Sequence, residues 1–273
     1  WTGSVFEGME KQEIVNTGYD LHDRVGKSEI KNYTYNEETG TYDYSELQVI
    51  NYVEYDRYGN ALEQTIDAYT SETIDEAMLI DHKVIENSYY NEDTTYNLLA
   101  ARRGNAVVST VTRYDSTTVL TADHRIEKTI TTTSVYDNLG NAIDQVTDVY
   151  VGEEEKLATR RVIHNSNIDN RGDAGWQSIK TYETDETGVE GTLELTSYQE
   201  FTNRKYDSSH NIMNQNILTY SDDGKGTLLD AQEIRSSAYY SSGVAKEQRV
   251  ATYSDSGLTN LIDIKVIENK VVD

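Results

Sequence analysis

Apolar and polar residues alternate along many short stretches of this chain, and such alternation is typical of half-buried β strands. In Ala61–Tyr69, every second residue from Leu62 to Ala68 lies on one face, and every second residue from Glu63 to Asp67 lies on the other. We call these stretches c strands. The same first face recurs at Ile143, Gln145, Thr147 and Val149, and at Met213, Gln215, Ile217 and Thr219.

Each alternating stretch runs from a turn residue to a tyrosine ten positions later. The pairs are Gly59 and Tyr69, Gly104 and Tyr114, Gly140 and Tyr150, Gly172 and Tyr182, His210 and Tyr220, and Gly243 and Tyr253. With Tyr35 before them, the tyrosines recur about every 36 residues, and such self-similarity is typical of a repeat architecture. We therefore predict that residues 1–273 form one continuous repeat array, with units ending near these tyrosines and an incomplete last unit.

A second strand, which we call the b strand, precedes each turn. Its two best copies, Leu79–Asn87 and Leu261–Asn269, are identical at eight of nine positions. We predict seven c strands between eight b strands. The predicted b strands are residues 10–18, 45–55, 78–88, 125–135, 157–166, 192–204, 228–237 and 261–272.

The connection from a b strand to its c strand has the composition of a tight hairpin turn, as in Asp56-Arg57-Tyr58-Gly59-Asn60. The aspartate side chain accepts backbone hydrogen bonds, and the glycine three residues on takes a left-handed conformation that reverses the chain. We therefore predict an all-β fold of tandem hairpins forming an extended antiparallel, twisted or superhelical sheet. The predicted turn residues are Asp56, Gly59, Asn60, Gly104, Asn105, Asp137, Gly140, Asn141, Gly172, Asp207, Asn211 and Gly243.

A column of glutamines favours a different arrangement. Five units place a glutamine on the otherwise apolar face of the c strand, at Gln64, Gln145, Gln177, Gln215 and Gln248. Stacked glutamines that bond to one another need like positions one strand apart, which is the geometry of a β-solenoid. The turn chemistry favours the hairpin meander, and the solenoid is kept as the alternative.

Composition restricts the classes of function. The chain carries 2 Phe and 2 Trp against 22 Tyr, a thin supply of core residues that suits an array in which each unit packs only on its neighbours. The net charge of −24 would repel nucleic acid and anionic membranes. No apolar run approaches the length of a transmembrane helix. The absence of proline fits a chain that consists mostly of β ladder.

No catalytic, cofactor-binding or metal-ligating residue is predicted. His82 stands where the twin b strand has Ile264, so we expect scattered surface histidines that form no shared site. Arg171-Gly172-Asp173 spells an integrin-type tripeptide but aligns with the hairpin turns of other units. Weak calcium binding at acidic loops, such as Asp222–Gly224 and Asp255–Gly257, is the one cofactor hypothesis left open.

The turns also resemble a known family. Tyr55-Asp56-x-x-Gly59-Asn60 and Tyr136-Asp137-x-x-Gly140-Asn141 are similar to the core of YD repeats, the β-hairpin units of Rhs-type and teneurin-like proteins. Tyr206-Asp207-x-x-His210-Asn211 is a degenerate third copy. The resemblance implies an extracellular β-sheet array that wraps into a spiral or shell, without catalysis in the repeats.

We therefore expect a non-enzymatic structural protein, extracellular or on a cell surface, that forms a fibre, stalk or surface array. The last b strand, Leu261–Val272, has no c strand after it, so we expect copies to join end to end or flanking repeats to continue the array. Two alternatives are an adhesin or glycan-binding module that uses exposed tyrosines, and a segment of an Rhs-type shell.

Overall fold

The structure is a computed structural model that describes residues 10–36, 39–90, 96–239 and 244–269. Over these residues it contains fifteen β strands and one short α helix. The predicted turn residue Gly243 and the last residues of Leu261–Val272 lie outside this range. The strands are β1 (Glu10–Thr17), β2 (Lys27–Asn36), β3 (Thr41–Tyr55), β4 (Ala61–Tyr69), β5 (Leu79–Ser88), β6 (Val108–Tyr114), β7 (Arg125–Tyr136), β8 (Ala142–Val151), β9 (Lys156–Ile168), β10 (Ala174–Glu183), β11 (Glu194–Tyr206), β12 (Ile212–Tyr220), β13 (Leu228–Ser236), β14 (Glu247–Tyr253) and β15 (Leu261–Glu268).

The strands follow one another through the sheet in chain order, from β1 to β15. Odd-numbered strands are the predicted b strands and even-numbered strands the predicted c strands. Neighbours pair antiparallel, as β4 does with β3 and with β5. The all-β hairpin prediction is confirmed, and the solenoid alternative is wrong because its like strands would stack without antiparallel pairing between sequence neighbours.

The chain divides into two compact units. Of the described residues, the first unit contains those from 10 to 130 together with Tyr150–Lys156, and the second contains Thr131–Val149 and those from 157 to 269. In the first unit, β3 and β4 pair with Ile50 opposite Ile66. In the second unit, antiparallel pairing links β9 to β10 and each later strand to the next.

Four of the closing tyrosines occupy the same distinctive place in the ladder. The register between a c strand and the following b strand shifts immediately before the tyrosine, which then pairs with a leucine near the start of the b strand. A cross-strand aromatic–aliphatic pair stabilises a sheet by about 0.2–1 kcal/mol. The repeating tyrosine is thus matched by a repeating leucine. The pairs are Tyr69 and Leu79, Tyr182 and Leu195, Tyr220 and Leu228, and Tyr253 and Leu261.

The connection between β5 and β6 differs from the predicted hairpin turn. It contains a helix, α1 (Leu98–Arg103), which Asn97 caps by accepting a hydrogen bond from the Ala100 amide. Gly104 has a φ of 73° and ends this helix, with its amide directed to the carbonyls of Ala100 and Ala101. The prediction that Gly104 and Asn105 form a β-hairpin turn is therefore wrong. A glycine with positive φ serves equally well at the C-terminal end of a helix.

Buried side chains form small separate clusters. In the first unit, Leu47, Val49 and Tyr69 form one cluster between β3 and β4. A second cluster consists of Tyr89, Ala100, Ala101 and Val107, around α1. In the second unit, the buried apolar residues include Leu157, Tyr198, Tyr220 and Ala231. Among the described residues, no helix is long and apolar enough to span a membrane.

Burial of two tyrosines predicts a loss of stability in alkali. Burial raises the pKa of Tyr69 and of Tyr198 to about 12, from the ordinary value of 10.0. The folded state therefore holds both protons more tightly than the unfolded state does. The stability that these hydroxyls contribute is complete below pH 10 and falls as the pH rises from 10 towards 12.

This loss is measured by following chemical unfolding across the alkaline range. Tyr69→Phe should make stability less dependent on pH between 10 and 12, because the titrating group is removed. Tyr19→Phe, at a tyrosine that is 56% exposed, is the control. An equal change in both variants would contradict the assignment.

Candidate functional site

The hairpin turns form the most regular feature of the sheet. In the turn between β3 and β4, the backbone amide of Gly59 donates to the carbonyl of Asp56 at 3.2 Å, and the amide of Asp56 donates to the carbonyl of Asn60 at 2.9 Å. The Asp56 carboxylate accepts hydrogen bonds from the amides of Tyr58 and Asn60 and from the Asn60 side chain. Gly59 has a φ of 87°. A single aspartate thus closes the whole turn.

The same network recurs in the second unit. Asp137 and Asp207 each accept from the side chain and amide of the asparagine four residues later, at 2.8–3.0 Å. Asp169 accepts from the amide of Asp173 at 3.0 Å. The turn glycines Gly140 and Gly172 have φ of 95° and 91°, and His210 takes the same left-handed region at 66°.

We call these four segments the turn edge: residues 56–60, 137–141, 169–173 and 207–211. Within each unit, hydrogen bonds connect them to other repeats. The guanidinium of Arg24 donates to the carbonyl of Asp56 at 2.9 Å, and that of Arg171 donates to the carbonyl of Asp207 at 2.8 Å. These contacts join residues more than thirty positions apart, so neighbouring repeats are held together at their turns.

The tyrosines of the Tyr-Asp motif make a second set of connections. The Tyr55 hydroxyl donates to the carbonyl of Val25 at 2.7 Å, and the Tyr206 hydroxyl donates to the carbonyl of Ala174 at 2.8 Å. The Arg24 guanidinium also lies 4.8 Å from the centre of the Tyr55 ring, within cation–π distance. The Tyr-Asp pair therefore has two roles: the aspartate closes its own turn, and the tyrosine ties that turn to the previous hairpin.

In the second unit, these hydrogen bonds stabilise the charged form of three turn aspartates. Bonds from the Asn141 side chain and amide hold the pKa of Asp137 below the ordinary aspartate value. Bonds from Asn211 lower the pKa of Asp207 in the same way, and backbone bonds from Asp173 and Arg171 lower that of Asp169. The turns should consequently weaken only in strong acid, as these carboxylates become protonated.

The integrin-type tripeptide lies within this network. Asp173 is 9% exposed, and its carboxylate contacts both Arg171 Nη2 at 2.6 Å and His210 Nδ1 at 2.8 Å. In the loops proposed for calcium, Asp222 and Asp255 accept hydrogen bonds from backbone amides of their own turns. Among the residues that the structure describes, no group of three or more His, Cys, Asp or Glu side chains is placed to hold a metal ion.

Histidines follow a pattern that the sequence reading missed. His124, His164 and His210 each place Nδ1 against an aspartate, at 2.6–2.8 Å. His82 does the same with Asp67, directly opposite it in the ladder. The expectation of a surface histidine is wrong for His82, which is 5% exposed.

The glutamine column bonds across the sheet. Gln145 donates to Thr133 Oγ1 at 3.1 Å, Gln177 to Asn165 Oδ1 at 2.8 Å, and Gln248 to Ser236 Oγ at 3.4 Å. Each acceptor lies twelve residues earlier, on the preceding b strand. Gln64 faces Tyr52, and Gln215 faces Ile234 on the following strand. Three of the glutamines therefore bond to the preceding b strand and not to one another, whereas Gln215 Oε1 is buried without a hydrogen-bond partner.

One cleft adjoins the turn edge at Asp56 and Arg57. It has a volume of about 900 Å³ and lies in the first unit, beside β4, β5 and β6. Three tyrosines line it together with four carboxylates and one arginine. These residues are Tyr89, Tyr90, Tyr96, Glu54, Asp56, Glu63, Glu86 and Arg57. Aromatic faces beside carboxylates suit a ligand rich in hydroxyl groups or a cationic ligand.

The cleft depends on the unusual length of the connection between β5 and β6. The interval from Tyr69 to Tyr114 is 45 residues, the longest between closing tyrosines. That connection supplies Tyr89, Tyr90 and Tyr96 to the cleft wall. The sequence signal was this excess length, together with a local run of tyrosines.

Gly172→Ala is expected to reduce the free energy of unfolding by about 2 kcal/mol. An alanine there would adopt a left-handed conformation, and its Cβ would lie 2.9 Å from Asn141 Oδ1. Asn141 would have to move and lose its hydrogen bond to Asp137. Chemical denaturation measures the change.

Gly59→Ala is the matched control. Gly59 has nearly the same φ, but no atom lies within 4 Å of the added Cβ. We expect a cost of about 1 kcal/mol from the backbone alone. Equal losses in the two variants would show that the contact between Gly172 and Asn141 contributes nothing.

Comparisons with known proteins found little. No protein-family model matches the chain, and no curated protein matches it. Among solved structures, the chain is similar to part of the Photorhabdus luminescens Tc holotoxin pore, at 12% identity and a TM-score of 0.15. The match covers 94% of this chain and 15% of that chain, so this chain spans only a small part of the structure it matches.

Proposed function

We propose that this chain is a non-enzymatic structural repeat protein of the extracellular space or cell surface. It builds a fibre, stalk or surface array, by strand addition at the edges of its sheet or within a longer YD-type repeat chain. Its partners are other copies of itself or flanking repeats. The net charge of −24 disfavours nucleic acid as a partner.

The observation that carries this proposal is a comparison of two strands with almost the same sequence. The twin stretch Leu79–Asn87 forms nearly all of β5, and the twin stretch Leu261–Asn269 contains all of β15. β5 is paired on both sides, with β4 and β6, and buries Asp81 and His82. β15 pairs with β14 and lies at the edge of the sheet, with all eight of its residues exposed. An exposed apolar edge strand recruits another strand.

Negative-stain imaging and sedimentation of the purified chain test this proposal. We expect assemblies that grow with protein concentration. Deleting residues 261–273 should abolish them while the earlier hairpins stay folded. Ile262→Lys, which places a charge on the open edge, should weaken assembly without truncation. A chain that stays monomeric at high concentration would contradict assembly by strand addition.

The cleft favours a second candidate, an adhesin or glycan-binding module. Its lining combines exposed Tyr90 with Tyr96 and with hydrogen-bonding groups on Glu86 and Asn87. Stacking of a sugar ring on a tyrosine, with its hydroxyls bonded to carboxylates and amides, is the chemistry that such a surface offers.

A glycan array distinguishes this candidate from the structural role. Binding that disappears in Tyr90→Ala, but persists in Tyr58→Ala outside the cleft lining, would favour the glycan-binding module. If the array shows no binding, the glycan-binding candidate is contradicted and the structural proposal stands. A hollow particle in the stained images would instead favour a segment of an Rhs-type shell, as the Tyr-Asp motif suggests.

A further inference from the structure

The edge strand β15 is self-complementary. Residues 261–267 read Leu-Ile-Asp-Ile-Lys-Val-Ile, with Ile264 at the centre. If this strand pairs antiparallel with an identical strand around Ile264, Leu261 faces Ile267 and Ile262 faces Val266. Asp263 then faces Lys265, twice, once on each side of the centre.

This complementarity belongs to one register. A two-fold axis between identical antiparallel strands passes through a pair of identical residues. Centring the pair on Asp263 sets two carboxylates face to face, and centring it on Lys265 does the same with two ammonium groups. Like charges directly opposite each other destabilise a sheet. The register centred on Ile264 alone matches opposite charges while apolar residues face apolar residues.

The side chains needed for this pairing are accessible. Ile262 is 64% exposed and Ile264 is 57% exposed, and Asp263 and Lys265 are also exposed. β15 already pairs with β14 through its other edge, where Asp263 faces Thr252 and Lys265 faces Val250. Neither charge is therefore opposite an ionisable residue within the sheet.

The twin strand shows what the aspartate position binds when its second edge is covered. In β5, Asp81 takes the place of Asp263, and Arg113 of the adjacent strand β6 donates to its carboxylate at 3.0 Å. Lys83 lies 3.4 Å from the same carboxylate. A cation supplied by the neighbouring strand is thus part of the environment of this position. In the pairing of two β15 strands centred on Ile264, Lys265 of the second copy would supply it.

We propose that β15 is a homodimerisation strand, through which two copies of this chain join edge to edge around a two-fold axis at Ile264. The contact joins the sheets of the two copies and covers the exposed edge of β15 in each copy. This inference rests on the proposed structural function and names the partner and register of one edge.

Engineered cysteines test the register, because the chain has no cysteine of its own. Ile264→Cys should form a disulfide-linked dimer under mild oxidation, since directly opposed Cβ atoms in a sheet lie about 5 Å apart. Ile262→Cys is the matched control on the same face of the strand. In the register centred on Ile264, the substituted residues of the two chains would lie four positions apart along the ladder, about 14 Å, so this variant should not cross-link. Mixing Ile262→Cys with Val266→Cys should give a cross-linked heterodimer.

Charge reversal tests the pairing without a covalent bond. Asp263→Lys and Lys265→Asp should each weaken self-association at least about tenfold, because each places like charges opposite each other. The double variant should restore association, and mixing the two single variants should give mixed dimers. Glu268→Lys is the control, with the same charge change as Asp263→Lys at a residue outside the self-complementary stretch.

Cross-linking at Ile264 no faster than at Ile262 would overturn the inference, as would single charge reversals that associate like the unchanged chain. Larger assemblies without the Ile264 cross-link would overturn this register and leave the structural proposal standing. Discrete cross-linked dimers without larger assemblies would support pairing through β15 and contradict the proposal that the chain forms a fibre.

Discussion

Tyr69→Ala is expected to reduce the free energy of unfolding by about 3 kcal/mol. Tyr69 is 2% exposed and packs in one cluster with Leu47 and Val49, so its removal leaves a cavity that neighbouring strands cannot fill. It also removes the cross-strand pair with Leu79. Urea denaturation followed by circular dichroism measures the change.

Tyr253→Ala is the control for this prediction. Tyr253 is the equivalent residue of the last c strand, but it is half-buried and pairs with Leu261, which is 52% exposed. We expect a loss of about 1 kcal/mol. If both variants lose the same free energy, the closing tyrosines act through a property of the repeat that is independent of burial.

Breaking the pair between Asp67 and His82 should cost about 3 kcal/mol. The two side chains lie opposite each other in the ladder, and both are buried. His82→Ile introduces the residue found in the twin strand and leaves the Asp67 carboxylate buried without its partner. The penalty for an unpaired buried charge then exceeds the gain from a more apolar side chain.

A double-mutant cycle measures this coupling. Asp67→Ala and His82→Ile together should cost less than the sum of the single changes, because the double variant leaves neither a buried carboxylate nor a buried imidazole. Additive losses would show that the two side chains do not interact. The exposed pair His164 and Asp144, with Nδ1 and Oδ1 2.6 Å apart, is the matched comparison and should show little coupling.

Strand number, order and hairpin pairing were predictable from this sequence because each is determined locally. Alternation sets the faces of a strand, and an aspartate three residues before a glycine sets a turn. In the turn after β3, for example, the aspartate and the glycine that form the signal are Asp56 and Gly59. Because each unit carries the same local signals, a mistaken prediction for one unit does not affect the prediction for the next.

The conformation around Gly104 was not predictable from the repeat alone. A positive φ is required both at a bulged hairpin turn and at the C-terminal end of a helix, so the glycine is compatible with both. The segment Leu98–Arg103 decides between them, because leucine, alanine and arginine favour helix. The excess length of this unit was the signal that it departs from the others.

The contacts between repeats were the part that required a structure. The hydrogen bond from the Tyr55 hydroxyl to the carbonyl of Val25 joins residues thirty positions apart, and no spacing rule in the sequence identifies its acceptor. The burial of His82 likewise depends on which residue lies opposite it, and a shift of one position would have exposed it. Pairing of histidine with aspartate is a property of the register, which the turns determine only indirectly.

The chain-ordered sheet has a mechanical consequence. Within the second unit, each strand from β10 to β14 is hydrogen-bonded to the strands before and after it in the chain. Pulling on the end of such a meander loads the hydrogen bonds one after another, as in a zipper, and not all at once in shear. Each hairpin that peels away releases about 36 residues, or roughly 120 Å of extended chain. A protein built in this way is expected to yield to tension one hairpin at a time, while the rest of its sheet stays paired.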